Sequence, residues 1–287
     1  MKKLIGITAS TNKLQQATNM AYIKAFSTET TTPIILPCLF ENENEVITKK
    51  EQENLKAHID KIIATCDAIV LSGGVDLSPI SISEKLTDSE SFNINRDIFE
   101  KELVTACINA NKPILGICRG FQLLGNMLGL NYFQQDISIT DEIHNGLTKD
   151  ISLRKEPMHA VHLFGELKKY IEQDKICTNS WHHQGFTLMP EGERVKNKDM
   201  EDFVTEKRDF HEETKATTKD PSIVIKEIKT KGKKLNNFGD IDILMATNCV
   251  IEGFKHKTLP IVAFQNHPEE YTNSIAINYF LETYLIK

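Results

Sequence analysis

The segment Gly116-Ile117-Cys118-Arg119-Gly120 sets a potential nucleophile between two glycines, one two residues before it and one two residues after. The apolar run Pro113-Ile114-Leu115-Gly116 precedes it, and Phe121–Leu128 follows with apolar residues at helical spacing. That order predicts a strand, a sharp turn and a helix, as in a nucleophile elbow, where flanking glycines remove the Cβ clashes of a tight turn. A cysteine on such a turn stands at a helix N-terminus, where backbone N–H groups favour the thiolate. The competing reading is a small buried cysteine packed behind a strand.

A cysteine nucleophile needs a base, a group that orients the base, and donors for the developing oxyanion. His267 follows the apolar strand Pro260–Phe264, and Glu269 lies two residues on. Side chains at i and i+2 share a face of extended chain, so Glu269 is expected to hold the imidazole through its far nitrogen. Gly73 and Gly74 follow the apolar run Ala68–Leu71 and allow backbone N–H groups to approach a substrate closely. The N–H of Arg119 is the second expected donor. His182 and His183 are candidates for metal ligands by type, but adjacent residues point apart and the sequence offers them no evident carboxylate or cysteine partner, so no metal is expected. This chemistry calls for no organic cofactor.

The elements around these residues alternate. Leu4–Ala9 reads as strand, Met20–Phe26 as helix, Pro33–Leu36 as extended, Lys49–Ala64 as amphipathic helix and Ala68–Leu71 as buried strand. Asp97–Asn109 carries a helical stripe of Ile98, Phe99, Leu103, Val104 and Cys107, and Ile114–Ile117 is the strand entering the elbow. Alternation of this kind predicts an α/β fold with a mostly parallel central sheet flanked by helices. The ligand crevice of such a sheet lies beyond the carboxyl ends of its strands, where the elbow and the glycine loop both fall. His159–Leu163 and Ile176–Ser180 read as further strands. From about 196 to 240 the chain is polar, mixes both charge signs and has few aromatics, which predicts a charged surface insertion within a single domain spanning 1–287. Ser222–Ile228 within it is a candidate strand, and a lid or a subunit contact is the sharper role for the whole stretch.

With 287 residues, 40% hydrophobic and 26% charged, the composition is that of a globular protein with a sizeable core. A net charge of −6 points to neither nucleic acid nor an anionic membrane as partner. The apolar run after Lys2 and Lys3 is too short for a secretory signal and reads as a first strand. The cysteines at 38, 66, 107, 118, 177 and 249 form no C-x-x-C pair, so reduced thiols in a cytoplasmic protein are expected, with all but Cys118 in the core.

Five motifs occur in order: Leu71-Ser72-Gly73-Gly74-Val75-Asp76, Arg96-Asp97-x-x-Glu100, Gly116-Ile117-Cys118-Arg119-Gly120-Phe121-Gln122, Asn179-Ser180-Trp181-His182-His183-Gln184 and Gln265-Asn266-His267-Pro268-Glu269. On these the chain resembles the class I glutamine amidotransferase-like superfamily, with its flavodoxin-like fold. Within it, Cys-Arg-Gly-x-Gln and His-His-Gln favour the γ-glutamyl hydrolase peptidase group over amidotransferase subunits. The resemblance runs from the N-terminal strand, through Tyr22 and Pro37, to the C-terminal helix, and skips roughly 196–240. It implies Cys118 as nucleophile, His267 as base, Glu269 as its orienting partner, and oxyanion donors at Gly74 and Arg119. It further implies Gln122 near the glutamyl moiety and His182, His183 and Gln184 on a strand near the substrate, with Arg96, Asp97 and Glu100 structural in the site wall. The chain departs from the group in having two glycines in the loop rather than three, Asn266 where Trp is common, and Trp181 where a smaller residue is frequent. The expected activity is hydrolysis of a small γ-glutamyl conjugate through a glutamyl-thioester. The alternatives are a glutaminase module serving a separate synthetase, or a non-catalytic binding protein on the same fold. The amine of the substrate is left open, and the resemblance leaves room for a homodimer.

Overall fold

The computed structural model describes residues 1–12, 15–38, 49–78, 92–130, 133–134, 155–157, 159–187, 240–247 and 250–286. The strands are β1 (Lys3–Thr8), β2 (Ser10–Asn12), β3 (Gln15–Ala17), β4 (Thr31–Leu36), β5 (Ala68–Leu71), β6 (Ile114–Ile117), β7 (Phe133–Gln134), β8 (His159–Leu163), β9 (Lys175–Thr178), β10 (Gly185–Thr187), β11 (Ile241–Thr247), β12 (Val250–His256) and β13 (Ile261–Phe264). The helices are α1 (Met20–Phe26), α2 (Lys49–Thr65), α3 (Ile94–Asn109), α4 (Arg119–Met127), α5 (Gly165–Ile171) and α6 (Ile275–Tyr284).

The main sheet runs β4-β1-β5-β6-β13-β12-β11-β8-β9, with β10 and β7 attached beside β12. From β4 through β13 neighbouring strands are parallel. Beyond β13 the pairing is antiparallel. Alternation of strand and helix in the first part of the chain thus produces the α/β core expected of it, and the later strands extend that core as an antiparallel half, in which β11 lies beside β8. Each central strand sends alternate side chains to opposite faces. Ile69, Leu71 and Ile114 pack with α2, α3 and α4, while Ala68, Val70, Leu115 and Ile117 pack with α1, α5 and α6. The central strands are apolar on both faces because both faces are covered.

Several boundaries depart from the sequence pattern for local reasons. α3 starts three residues before Asp97 because the Asn93 side chain accepts the Arg96 N–H at 2.9 Å and caps it. β9 ends at Thr178 rather than Ser180. Cys38, Cys66 and Cys107 are buried as expected, but Cys177 is exposed: among the described residues β9 is the last strand of the sheet, and Cys177 lies on its exposed face. Cys249, the stretch 196–240 up to residue 239 and the candidate strand Ser222–Ile228 lie outside the described residues. Among the described residues no helix is long and apolar enough to cross a membrane.

Strands β5, β6 and β13 end side by side, with Leu71 paired to Gly116 and Ile117 to Phe264. The glycine loop, the elbow and the His267 segment therefore leave the sheet at one edge, the carboxyl end. The elbow glycines are required by close packing. A Cβ on Gly116 would sit 2.7 Å from the Gly120 carbonyl oxygen, and one on Gly120 would sit 2.3 Å from the Leu71 carbonyl oxygen. Replacement Gly120→Ala is expected to cost about 1–3 kcal/mol, as overpacking of a tight core does. A lower urea midpoint at unchanged m-value checks this.

Candidate active site

Cys118 carries the backbone strain of the elbow, with φ 52° and ψ −107°. Such a conformation costs a non-glycine residue on the order of 1–3 kcal/mol and needs fixed surroundings. Its N–H donates to the Phe264 carbonyl at 2.9 Å, and its own carbonyl accepts the Gln122 N–H at 3.1 Å in the first turn of α4. The strand before and the helix after thus leave the side chain presented at the head of α4, within hydrogen-bond reach of His267.

His267 Nδ1 meets Glu269 Oε1 at 2.7 Å, with both side chains buried. The pairing is reached by a route other than the extended chain expected. Pro268–Glu270 forms a 3₁₀ turn with Pro at its start, and the turn brings Glu269 back onto the ring. The His267 backbone is held on both sides by one residue: Asn179 Nδ2 donates to its carbonyl at 3.0 Å, and its N–H donates to Asn179 Oδ1 at 3.0 Å. That use of Asn179 accompanies the early end of β9. Burial alone would lower the His267 pKa, but the charges of Glu269 and Cys118 outweigh it and raise the pKa to about 10.

Tyr22, on α1, is a site residue whose role the motifs did not reveal. Its hydroxyl accepts the Gly73 N–H at 2.8 Å. Burial first, and then the neighbouring Glu269 carboxylate, push its pKa well above the ordinary range, so it stays a neutral phenol at the back of the site. Because the Gly73 N–H is spent on Tyr22, Gly74 is the glycine of the pair whose amide remains a candidate donor. Gly73 instead serves by its size. A Cβ there would lie 2.9 Å from His267 Cε1 and 3.4 Å from Cys118 Cβ.

The remaining sequence candidates separate. Gln122 directs Nε2 to the Gln184 carbonyl at 2.9 Å and towards Gln265 Oε1 at 3.4 Å, tying α4 to the segment before β10. His182, His183 and Gln184 lie in the connection between β9 and β10, not on a strand. Both histidines have carboxylate neighbours, contrary to the sequence reading. His183 Nε2 is 3.0 Å from Asp76 Oδ2, and the buried His182 Nε2 is 3.9 Å from Glu252 Oε2. Asp76 and Glu252 are distant in sequence from this motif, so only the folded chain reveals the pairs. The two histidines take different carboxylates, and among the described residues no group of three or more His, Cys, Asp or Glu is suited to a metal ion. Asn266, in place of the common Trp, is buried and donates to Thr178 Oγ1.

The parallel core with helices on both faces, and the strand–elbow–helix at its carboxyl edge, define a class I glutamine amidotransferase-like protein. The same fold is seen in the glutaminase domain of Trypanosoma brucei CTPS, solved with bound acivicin, at TM-score 0.52 and 12% identity over 97% of this chain and 91% of that one. The chain belongs to the Peptidase C26 family, whose profile matches residues 3–217. His267 and Glu269 lie beyond that match and are brought to Cys118 by β13. Similar proteins include a YvdE homologue described as glutamine amidotransferase-like from Lactococcus lactis subsp. cremoris, 32% identical over 168 residues, 58% of this chain and 80% of that one. Another is the γ-glutamyl-CDP-amidate hydrolase of Campylobacter jejuni, 38% identical over 119 residues, 40% of this chain and 42% of that one.

The raised His267 pKa has a measurable consequence. A group whose folded pKa lies above its ordinary 6.5 stabilises the fold fully below 6.5 and loses that contribution as pH rises through about 10. The stability difference between wild type and His267→Gln is therefore expected to shrink from pH 6.5 to about 10. Urea denaturation of both proteins across that range reads it, and the difference between them cancels groups that titrate in common.

Proposed function

We propose that this chain hydrolyses the γ-glutamyl amide bond of a small γ-glutamyl conjugate, with Cys118 as nucleophile. The observation that carries this reading is the buried Cys118–His267–Glu269 series, headed by a cysteine whose backbone is held at φ 52° at the N-terminus of α4. Sulfur attacks the γ-carbonyl carbon, and the C=O electron pair moves onto oxygen, which the N–H groups of Gly74 and Arg119 receive. Collapse of this adduct breaks the C–N bond as His267 gives its proton to the leaving amine. The glutamyl-thioester then takes a water whose proton passes to His267. Loss of the thiolate releases glutamate and restores the starting pair, so one amide and one water give one glutamate and one amine.

Glu269 keeps Nδ1 of the ring engaged, which leaves Nε2 for the sulfur and the leaving group. Membership of the Peptidase C26 family supports a hydrolytic outcome, and the Campylobacter jejuni relative supports a γ-glutamyl amidate as one substrate class to test. The amine side is proposed to include small amines, amino acids and nucleotide amidates.

A mass-spectrometric panel of γ-glutamyl conjugates, with glutamine and a γ-glutamyl nucleotide amidate included, tests the reading. Wild type is expected to release glutamate from at least one conjugate with no added protein. Cys118→Ala is expected to lose turnover on the order of 10³-fold or more while keeping its unfolding free energy, read by urea denaturation, within about 1 kcal/mol of wild type. Cleavage of glutamine alone, and only with a partner synthetase present, would overturn the hydrolase reading in favour of an amidotransferase module. Undiminished turnover by Cys118→Ala would remove Cys118 from the mechanism.

A further inference from the structure

We propose that Arg96 is a positioning residue for the oxyanion site: its guanidinium fixes the Gly73–Gly74 peptide so that the Gly74 N–H is aimed at the reacting carbonyl. The inference rests on the hydrolase reading above and assigns a role to a residue that otherwise counts as part of the site wall.

Arg96 lies in the first turn of α3 and is 1% exposed. Its guanidinium grips two successive carbonyls of the glycine loop, Nη2 donating to Ser72 O at 2.8 Å and Nη1 to Gly73 O at 3.1 Å. Nη2 also lies 3.0 Å from Ser72 Oγ, and Nε donates to Glu100 Oε1 at 2.9 Å. A planar fork holding two carbonyls in sequence restrains the orientation of the peptides that carry them, which a single ammonium does not. The described residues contain no cis peptide bond, so the Gly73 carbonyl and the Gly74 N–H lie in one plane and point in opposite directions within it. Holding the carbonyl on Arg96 therefore aims the N–H away from α3. The other side of the loop is the site: Gly73 packs against His267 and Cys118.

Two further observations agree. Gly74 has φ +154°, and a Cβ there would sit 2.3 Å from Arg96 Nη1, so the loop keeps a glycine where the guanidinium passes. The second expected donor is tied to the same helix turn. The Arg119 side chain pairs with Asp97 and Glu100, both from α3, and Glu100 is shared with Arg96. Two cations and two carboxylates, all buried, thus join the residues that carry the two donors. Burial of this kind without exit to solvent is expensive and persists where each charge is compensated.

The test uses Arg96→Lys and the γ-glutamyl conjugate that wild type cleaves fastest. Attack on a carbonyl needs the oxyanion donor. Alkylation of Cys118 by iodoacetamide is displacement at a saturated carbon and does not. Arg96→Lys is expected to lower kcat by about 10²–10³-fold, the effect of losing one oxyanion donor, with KM changed less than about threefold. The rate of Cys118 alkylation, followed on its own peptide by mass spectrometry, is expected to stay within about threefold of wild type. Equal losses in turnover and alkylation would mean that the site has simply loosened, and unchanged kcat would mean that the donor is aimed without the guanidinium fork; either result overturns the positioning role. If Arg96→Lys does not fold, Ser72→Ala removes the 3.0 Å contact to Nη2, together with the Ser72 Oγ donation to the Thr8 carbonyl at 2.6 Å, and leaves the charges intact. It is expected to lower kcat several-fold with alkylation unchanged, and an unchanged kcat overturns the inference. Failure of wild type to cleave any conjugate would be a failure of the hydrolase reading and would take this inference with it. Cleavage by wild type with an unshifted variant defeats the positioning role alone.

Discussion

A backbone conformation that cysteine does not adopt freely, φ 52° at Cys118, is the constraint on which the rest of this structure depends. It persists only where the surroundings over-determine it. β6 lies between β5 and β13, its last residue is in register with Phe264, and the Cys118 N–H closes onto the Phe264 carbonyl. On the helix side, Gly120 presses its backbone against Leu71 at a separation that leaves no room for a Cβ. Strand, turn and helix are therefore locked to two neighbouring strands at once. Those strands deliver the glycine loop and His267 to the same edge.

Electrostatics does the second part of the positioning. Two buried charge systems meet around the elbow. One is the Arg96–Glu100–Arg119–Asp97 quartet, which links α3 to α4 and to the glycine loop. Within it, burial by itself would raise the Glu100 pKa, but Arg119 and Arg96 hold it below the usual carboxylate range. The other is the His267–Glu269 pair with the Cys118 sulfur, where opposing charges overcome burial and keep the imidazole protonated. In both, solvent is replaced by fixed partners, so charges are available without reorganisation. Tyr22 bridges the two regions, taking the Gly73 N–H and lying beside Glu269.

Legibility in the sequence followed the range of the interaction. Met20–Phe26, Ala68–Leu71, Ile114–Ile117 and His159–Leu163 have the bounds that their apolar patterns predict, because periodicity and burial are recorded locally. α3 began earlier than its stripe suggested, since an Asn cap rather than an apolar residue starts it. The His267–Glu269 pairing was legible from spacing, but its geometry was not. Proline turns the chain there, and a 3₁₀ turn replaces the extended segment. The carboxylates beside His182 and His183, the Asn179 clamp on His267 and the exposure of Cys177 were not legible. Each depends on which strands become neighbours or edges.

By itself, then, the sequence determined the α/β class, the glycine-flanked cysteine on its turn, and the residue types for a base, an orienting acid and backbone donors. These are properties of short segments, where turn sterics and apolar period act within a few residues. Only the tertiary structure decided that the three segments reach one edge of one sheet, that Gly73 gives up its amide to Tyr22, which leaves Gly74 as the candidate donor of the pair, and that the Arg96 guanidinium meets the Ser72 and Gly73 carbonyls. The physical reason is that hydrogen bonds and ion pairs across 19 to 88 residues of chain separation, such as Arg119 with Glu100 and Asn179 with His267, leave no periodic trace in the sequence. They exist only once the sheet order is set and water has been excluded from the charges they compensate.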